Sequence, residues 1–563
     1  MNRLTGITLE NFKAFKKRQY IPIRPLTLIF GPNSAGKSSI VQALALIRHA
    51  FYNKGYAEAD RVDMGWSEIR LGGWQNLVHA HDSAATFKIG LHFDFIDSSV
   101  INSKSLGSPV STDYWEVTWE FGRVREDTEA YVMSCSAVKN GSPEFKGTRC
   151  STKPTIWNLE FSSCVPKKAE FVSMLIKYAG AQLPKRYRSK FQAWANATIS
   201  EDAVFGGLFP GAILPDERKK EEYSYNVYSI TPKDYIESLL NPNDCLYPLG
   251  DNEPFGPHVA LASAIRSITE ETQPSVETAN RIKILWNDWI DHHAIYDRVA
   301  RFFENIANNH LHLDSVRERP AHQLNRRDLP SIPKNKPWLH LIENEQSRNS
   351  VNTSLRTLTS PNYYKLVERK TTNTVQVEKP DEPTRIEFVS TTNELAFQNE
   401  NGLTFSPHDI GYGISTVLPI IVALKTSNRS IVSVEQPELH VHPCLQAGIG
   451  DLLVESAFGN IELSIEYYTE PGNNTLIIET HSEHLILRIL RRIRETTAGE
   501  LDEWPESLRK ACPNGIRPED VAVLYVLPSE NGSEVIELPV TPDGDFTRPW
   551  PSGFFTERAN ELY

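Results

Sequence analysis

Leu26-Thr27-Leu28-Ile29-Phe30-Gly31-Pro32-Asn33-Ser34-Ala35-Gly36-Lys37-Ser38-Ser39 is the stretch on which the fold turns. Its first five residues make the short, largely apolar run of a fully buried strand. The next nine complete GxxxxGK[ST], and Ile40, Val41, Ala43, Leu44, Leu46 and Ile47 follow at helical spacing. The motif therefore lies between a buried strand and a helix N-terminus, where its chemistry requires it. Glycines there let backbone N–H groups curl around a phosphate, and the helix dipole favours the negative charge. Gly31, Asn33, Ser34, Ala35, Gly36, Lys37, Ser38 and Ser39 are the expected cradle for ATP, with Lys37 reaching the β and γ oxygens and Ser38 offering its hydroxyl to Mg²⁺.

Such a cradle needs a metal-holding carboxylate at the end of a neighbouring strand. Ile431-Val432-Ser433-Val434-Glu435-Gln436-Pro437-Glu438 supplies Glu435, in the position of a Walker B acid. The next residue is Gln436, and an amide cannot take a proton from an attacking water as a carboxylate can. Slow hydrolysis is the expectation. Either Glu438 acts as a displaced base or Gln436 positions the water, and a loop or helix-start acid is the other reading of Glu438. A third strand, Thr475–Glu479, runs into Thr480-His481-Ser482-Glu483-His484 and then the helical stretch LILRILRRIRE. His481, just past a strand end, stands where a histidine can sense a γ-phosphate.

The 563-residue sequence as a whole bounds the setting. Its 59 Lys and Arg against 71 Asp and Glu give a net charge of −12, which argues against a uniformly basic nucleic-acid binder. No apolar stretch approaches the roughly 18 to 20 residues of a membrane span, and MNRLTGITLENFKAF reads as a strand rather than a signal peptide, so a soluble cytoplasmic protein is expected. The six cysteines, Cys135, Cys150, Cys164, Cys245, Cys444 and Cys512, are scattered with no CxxC pair. His310 with His312, and His440 with His442, lack the further ligands a metal site needs.

The opening ITLENFKAF, the Walker A stretch, VEQPELHVHP and ETHSEHL occur in an order that resembles the ABC-type heads of the RecF, SMC and Rad50 group of AAA-family ATPases. Asp409-Ile410-Gly411-Tyr412-Gly413-Ile414-Ser415 resembles the group's signature loop, although it departs from LSGGQ. That resemblance implies a homodimer sandwiching ATP, in which Gly411, Gly413 and Ser415 of one copy close over the γ-phosphate held by the other. It also makes Gln75, in GGWQN, the counterpart of a glutamine that contacts Mg²⁺. GYGISTVLPIIVAL and the ending PSGFFTERANELY are most similar to the PtuA ATPase subunits of Septu-type and retron-associated bacterial antiphage systems. There the ATPase works with a separate HNH nuclease, and DNA or retron RNA/DNA is a further expected partner. A RecF-like repair or chromosome-maintenance ATPase is the alternative. A self-contained nuclease needs a further C-terminal domain for which too little chain follows His481, and Asp543-Gly544-Asp545 reads as a turn.

Because Lys37 and Ser415 are so far apart, the α/β P-loop head, with its parallel sheet, is expected to be split by a large, mostly helical insertion. The expected parts are 1–100 with Walker A, 101–385 as the inserted arm, and 386–563 with the signature, Walker B and switch histidine. Inside the insertion YWEVTWEF reads as β, and Ile282, Leu285, Trp289, Tyr296, Val299, Phe303 and Ile306 fit a helix. Asp216–Glu222 is a charged segment read as a solvated turn or helix. Lys185-Arg186-Tyr187-Arg188-Ser189-Lys190-Phe191 mixes cations with aromatics as nucleic-acid surfaces do. Arg317, Arg319, Arg326 and Arg327, ahead of PSIPKNKPW, suit nucleic acid, a nuclease partner or acidic residues of the same chain.

Overall fold

The computed structural model describes residues 3–52, 56–59, 61–63, 68–82, 84–96, 112–123, 129–149, 157–161, 309–315, 317, 324–325, 341, 344–359, 363–377, 385–407, 409–459, 473–551 and 555. The chain divides into two compact units, one of Met1–His49, Ala57–Ala130 and Ile306–Tyr563, the other of Ala50–Tyr56 and Tyr131–Asn305.

The chain begins with β1 (Arg3–Glu10), β2 (Gln19–Pro22), β3 (Leu26–Phe30) and α1 (Lys37–Tyr52). A short α2 (Trp74–Leu77) precedes β4 (Phe87–Ile96) and β5 (Thr112–Gly122). β1 pairs antiparallel with β2 and β4, and β4 with β5. Trp115, Val117, Trp119 and Phe121 alternate inward along β5, the two-residue period of a half-buried strand. The other unit holds most of β6 (Glu129–Lys139), together with β7 (Ser142–Arg149) and β8 (Trp157–Phe161), paired as antiparallel neighbours. Asn140-Gly141 closes β6 onto β7 with φ of 48° and 81°, the two positive values of a tight hairpin turn.

The first unit resumes with β9 (His310–Leu313), α3 (Glu345–Leu358) and the long hairpin of β10 (Tyr364–Val377) and β11 (Arg385–Asn399). Then come α4 (Tyr412–Thr426), β12 (Ile431–Glu435), α5 (Pro443–Phe458), β13 (Thr475–Glu479), α6 (Glu483–Ala498), α7 (Glu506–Ala511), β14 (Val521–Leu527) and β15 (Glu534–Glu537). Six of these strands form one sheet in the order β9-β12-β13-β3-β14-β15. All neighbours are parallel except β15, which returns antiparallel along β14.

A strand buried on both faces must be largely apolar, and all five residues of β3 are buried, four of them apolar. Thr27, its one polar member, donates to the Arg24 carbonyl at 3.2 Å. α4 is buried from Ser415 to Leu424, so its apolar character runs around the whole helix rather than along one stripe. α6 by contrast is amphipathic, with Leu485, Ile486, Ile489, Leu490 and Ile493 inward. Helices packed on a parallel sheet, with the GxxxxGK[ST] loop at the C-terminal end of a central strand, make this an α/β P-loop ATPase head.

One expectation changes. The sheet-bearing unit resumes at Ile306, well before 386, because the four-residue β9 pairs in register with β12, His310 opposite Ile431 and Leu313 opposite Val434. The described part of 101–385 is mostly strand, in β5 to β10, and most of the expected helical insertion lies outside the described residues. The helix expected over 282–306, the 185–191 and 216–222 segments, Arg319, Arg326, Arg327, the 330–338 loop, and Cys150, Cys164 and Cys245 lie outside the described residues. Asp543-Gly544-Asp545 is a turn, closed by the Gly544 N–H on the Thr541 carbonyl at 3.0 Å and the Thr541 N–H on the Asp545 carbonyl at 2.8 Å. No helix among the described residues is long and apolar enough to cross a membrane.

Candidate nucleotide site

After β3 the backbone turns through positive φ at Gly31 (140°), Ser34 (63°) and Gly36 (99°). A Cβ on Gly31 would lie 2.5 Å from the Val526 carbonyl oxygen, and one on Gly36 2.5 Å from the Ala14 Cβ, so both positions exclude side chains. The loop is braced from behind. Ser533 donates its hydroxyl to the Ala35 carbonyl (2.7 Å) and its N–H to the Ala14 carbonyl (2.8 Å), which joins the ITLENFKAF segment to the loop. Asn33 and Ser34 are exposed at its rim, whereas Ala35 and Ser39 are buried.

Lys37 is only 4% exposed. Its Nζ donates to the Gly31 carbonyl (3.1 Å) and the Pro32 carbonyl (3.0 Å), and lies 3.7 Å from Glu479 Oε1. Burial lowers its pKa, against the pull of Glu479, Glu435 and Glu438. Ser38 donates its hydroxyl to Glu479 Oε2 at 2.7 Å. Two carboxylates thus end two adjacent strands level with each other, Glu435 on β12 in register with Glu479 on β13.

Burial, then the neighbouring Glu479 and Asp314, push the Glu435 carboxyl up to about 8, despite Arg317 and Lys37. His312 Nε2 stands 3.7 Å from Glu435 Oε1. Burial takes this imidazole down to about 4, so at neutral pH the contact joins a neutral ring to a carboxyl that keeps its proton, and is not an ion pair. Behind it, Ser433 Oγ bonds both His310 Nε2 (2.9 Å) and His312 Nδ1 (3.0 Å). Arg317 donates to the Glu435 carbonyl and, at 3.1 Å, to that of Gln436.

Gln436 has φ of 43° and donates its N–H to the Glu479 carbonyl at 2.7 Å, which places the turn after β12 directly over the end of β13. Glu438 accepts from Thr480 Oγ1 (2.8 Å) and from the His481 N–H (2.7 Å), so both its oxygens tie the Walker B turn to the switch segment. Burial raises its pKa against these bonds. His481 follows β13 directly, with its pKa lowered by burial and by the Lys37 charge.

Lys37, Ser38, Glu435, Gln436, Glu438 and His481 therefore meet at the C-terminal end of the sheet. Gln75 does not join them: it is exposed on α2, its carbonyl accepts from His81 Nδ1 at 3.0 Å, and among the described residues its side chain bonds neither Ser38 nor Glu435. At the start of α4, Gly411 and Tyr412 are exposed, and Tyr412 meets the His440 ring edge-on at 4.8 Å. A Cβ on Gly413 would stand 2.8 Å from the His440 carbonyl oxygen. Ser415, expected to donate outward, is fully buried and donates to the Pro407 carbonyl at 2.7 Å, so it fastens the loop to its own helix.

Sequence reasoning missed Glu479 and the partner of Arg317. The signal for Glu479 was present, since TLIIE and IVSVE are both apolar strands ending on glutamate. Among the described residues, no group of three or more His, Cys, Asp or Glu side chains is arranged to hold a metal ion. ATP with Mg²⁺ fits instead: Ser38, Glu435 and Glu479 are hard oxygen donors, and burial beside Glu479 makes the Glu435 carboxyl hold its proton up to about pH 8, an electrostatic strain that a cation relieves.

Residues 3–201 match the model of the family described as "AAA ATPase domain". Residues 262–488 match that described as "AAA domain, putative AbiEii toxin, Type IV TA system". Among solved structures, the chain is similar to the Smc head domain with an extended coiled coil bound to the C-terminal domain of ScpA from Pyrococcus furiosus, at 12% identity and TM-score 0.34, over 100% of this chain and 98% of that one. It is likewise similar to the SMC head domain from Thermotoga maritima, at 10% identity and TM-score 0.32, over 96% and 100%. With scores this low the fold assignment rests on the sheet order and the loop geometry. No curated protein matches the chain. Both matched families are described as AAA domains, and the phosphate-loop chemistry agrees with an ATPase head.

Proposed function

We propose that this chain is the ATP-binding, slowly hydrolysing subunit of a bacterial antiphage defence complex, a nucleotide-controlled dimeric switch that scaffolds and regulates a partner HNH nuclease. The observation that carries the nucleotide part is the convergence of Lys37 and Ser38 on the strand-end carboxylate of Glu479, with Glu435 level with it on the adjacent strand. Mg²⁺, when bound with ATP, neutralises charge on the β- and γ-phosphates. Ser38 and Glu435 would hold it. Lys37 turns from the Gly31 and Pro32 carbonyls to phosphate oxygens, which present the same hard acceptors with full charge.

Slow turnover follows from the side chains around the attacking water. Gln436 can orient a water but cannot take its proton, and both oxygens of Glu438 are already engaged. His481, kept neutral by burial, offers a hydrogen bond to a γ-phosphate rather than a charge. The exposed Gly411 and Tyr412, at the N-terminus of α4, are the face a second copy's nucleotide meets, with Gly413 shaping the turn behind them. Closure is favoured only by the difference in ATP affinity between dimer and separate heads. The defence setting draws on the PtuA-like wording of the sequence and on the AbiEii description of the family matched by 262–488.

The test is co-expression with the product of the neighbouring gene, expected on this reading to be an HNH nuclease, followed by pull-down and phage plating. The expected result is a complex containing both chains, with protection lost in Lys37→Ala. Failure of any HNH protein to co-purify, with protection absent in the wild type, contradicts the defence reading.

A further inference from the structure

We propose that Glu479 is the positioning residue that aims the Ser38 hydroxyl at the divalent cation, a task Glu435 does not perform in this chain. The inference rests on the ATP-binding reading above. A serine hydroxyl has one proton and two lone pairs, and it can donate lone-pair density to a cation only if its proton is directed elsewhere. Here the proton is directed at Glu479 Oε2, 2.7 Å away. An ionised acceptor also strengthens the oxygen as a ligand, as carboxylates behind metal-bound groups generally do.

Glu479 is suited to this by its place in the fold. β13 lies between β3, which leads into the phosphate loop, and β12, which carries Glu435. The Glu479 backbone is pinned on both sides, its carbonyl accepting the Gln436 N–H at 2.7 Å and the next N–H, of Thr480, donating to the Ile29 carbonyl at 3.1 Å. The side chain is 7% exposed, so its direction is set by its surroundings. Glu435 is one strand farther from the loop, and its Oε1 faces His312.

The second oxygen of Glu479 lies 3.7 Å from Lys37 Nζ. Glu479 therefore acts on both groups of the motif: it draws Lys37 away from an incoming phosphate and presents Ser38 to the cation. Removing its charge has opposite effects on binding without and with metal. A residue that only props up the loop weakens both.

The experiment measures binding of a fluorescent ATP analogue to the purified full-length chain, first in EDTA and then across a Mg²⁺ titration. Glu479→Gln is expected to bind the analogue in EDTA as tightly as wild type or several-fold tighter, while its half-point for Mg²⁺ rises at least tenfold. Glu479→Asp, which keeps the charge on a shorter arm, is expected to fall between the two, and it decides the matter if the glutamine variant does not fold. In the Ser38→Ala background, Glu479→Gln is expected to move the Mg²⁺ half-point no further. An unchanged half-point in both Glu479 variants, with a shifted one in Glu435→Gln, overturns the proposal. Failure of the wild type to bind the analogue under either condition overturns the ATP reading instead.

Discussion

Lys37 donates to two carbonyls of the loop it belongs to and leans toward Glu479, an arrangement that gives way only to a stronger set of acceptors. Lys37→Ala is predicted to lower ATP affinity by about a hundredfold, the loss of a charge-assisted contact in a buried site, as measured by analogue binding. At Gln436, substitution by Glu supplies a carboxylate one residue past the Walker B acid. On the reading above, turnover in a phosphate-release assay then rises on the order of tenfold to a hundredfold, and unchanged turnover places the base elsewhere. The His310 and His312 pair gives a prediction for stability. Burial lowers both pKa values, His312 from 6.5 to about 4, so each ring must remain neutral in the folded chain. Their contribution is complete above pH 6.5 and is lost as the pH falls toward 4, on the order of 3 kcal/mol for a shift like that of His312. The melting temperature is accordingly expected to drop between pH 6.5 and 4, less steeply in His312→Asn than in wild type. Glu435 has the opposite sign: its raised pKa favours the fold below about 4.5, and that advantage is lost as the pH rises through about 8.

At the scale of elements, α5 and α6 are joined by charges as well as by apolar contact. Arg492 on α6, 2% exposed, donates to both oxygens of Asp451 (2.8 and 3.0 Å) and to Glu495 (2.7 Å), and its guanidinium lies 5.3 Å from the Trp504 ring centre. Arg492→Ala leaves two carboxylates facing each other in a half-buried seam. It is predicted to cost about 3 to 5 kcal/mol in chemical denaturation, much of it recovered when Asp451→Asn and Glu495→Gln are added. What could be read from the sequence follows the range of the interactions. β3, β5, β12 and β13 were visible because local runs of apolar or alternating residues dictate them. β9 was not, because His310-Leu311-His312-Leu313 puts two histidines into a buried strand, and the hydrogen bond each ring makes comes from the distant Ser433. Ser415 was misplaced for a related reason: a serine in a first helical turn looks outward until the Pro407 carbonyl that holds it is known.

At the scale of the whole molecule, the phosphate loop, the Walker B turn and the switch segment come from chain positions spread over most of the sequence, and the six-stranded sheet brings their ends to one edge. GxxxxGK[ST] made that much legible, because no other residue types satisfy its backbone. Where the sheet-bearing unit resumes after the second unit was not legible, since that depends on pairing between β9 and β12. On the proposed reading, the exposed start of α4, Gly411 and Tyr412, meets a second copy across ATP. The most direct measurement is therefore the solution mass of the purified chain by light scattering, with and without ATP and Mg²⁺, for wild type and Lys37→Ala. The account predicts that ATP with Mg²⁺ doubles the mass of the wild type and leaves Lys37→Ala a monomer. A wild-type chain that binds ATP yet keeps a monomer's mass at saturating nucleotide contradicts it.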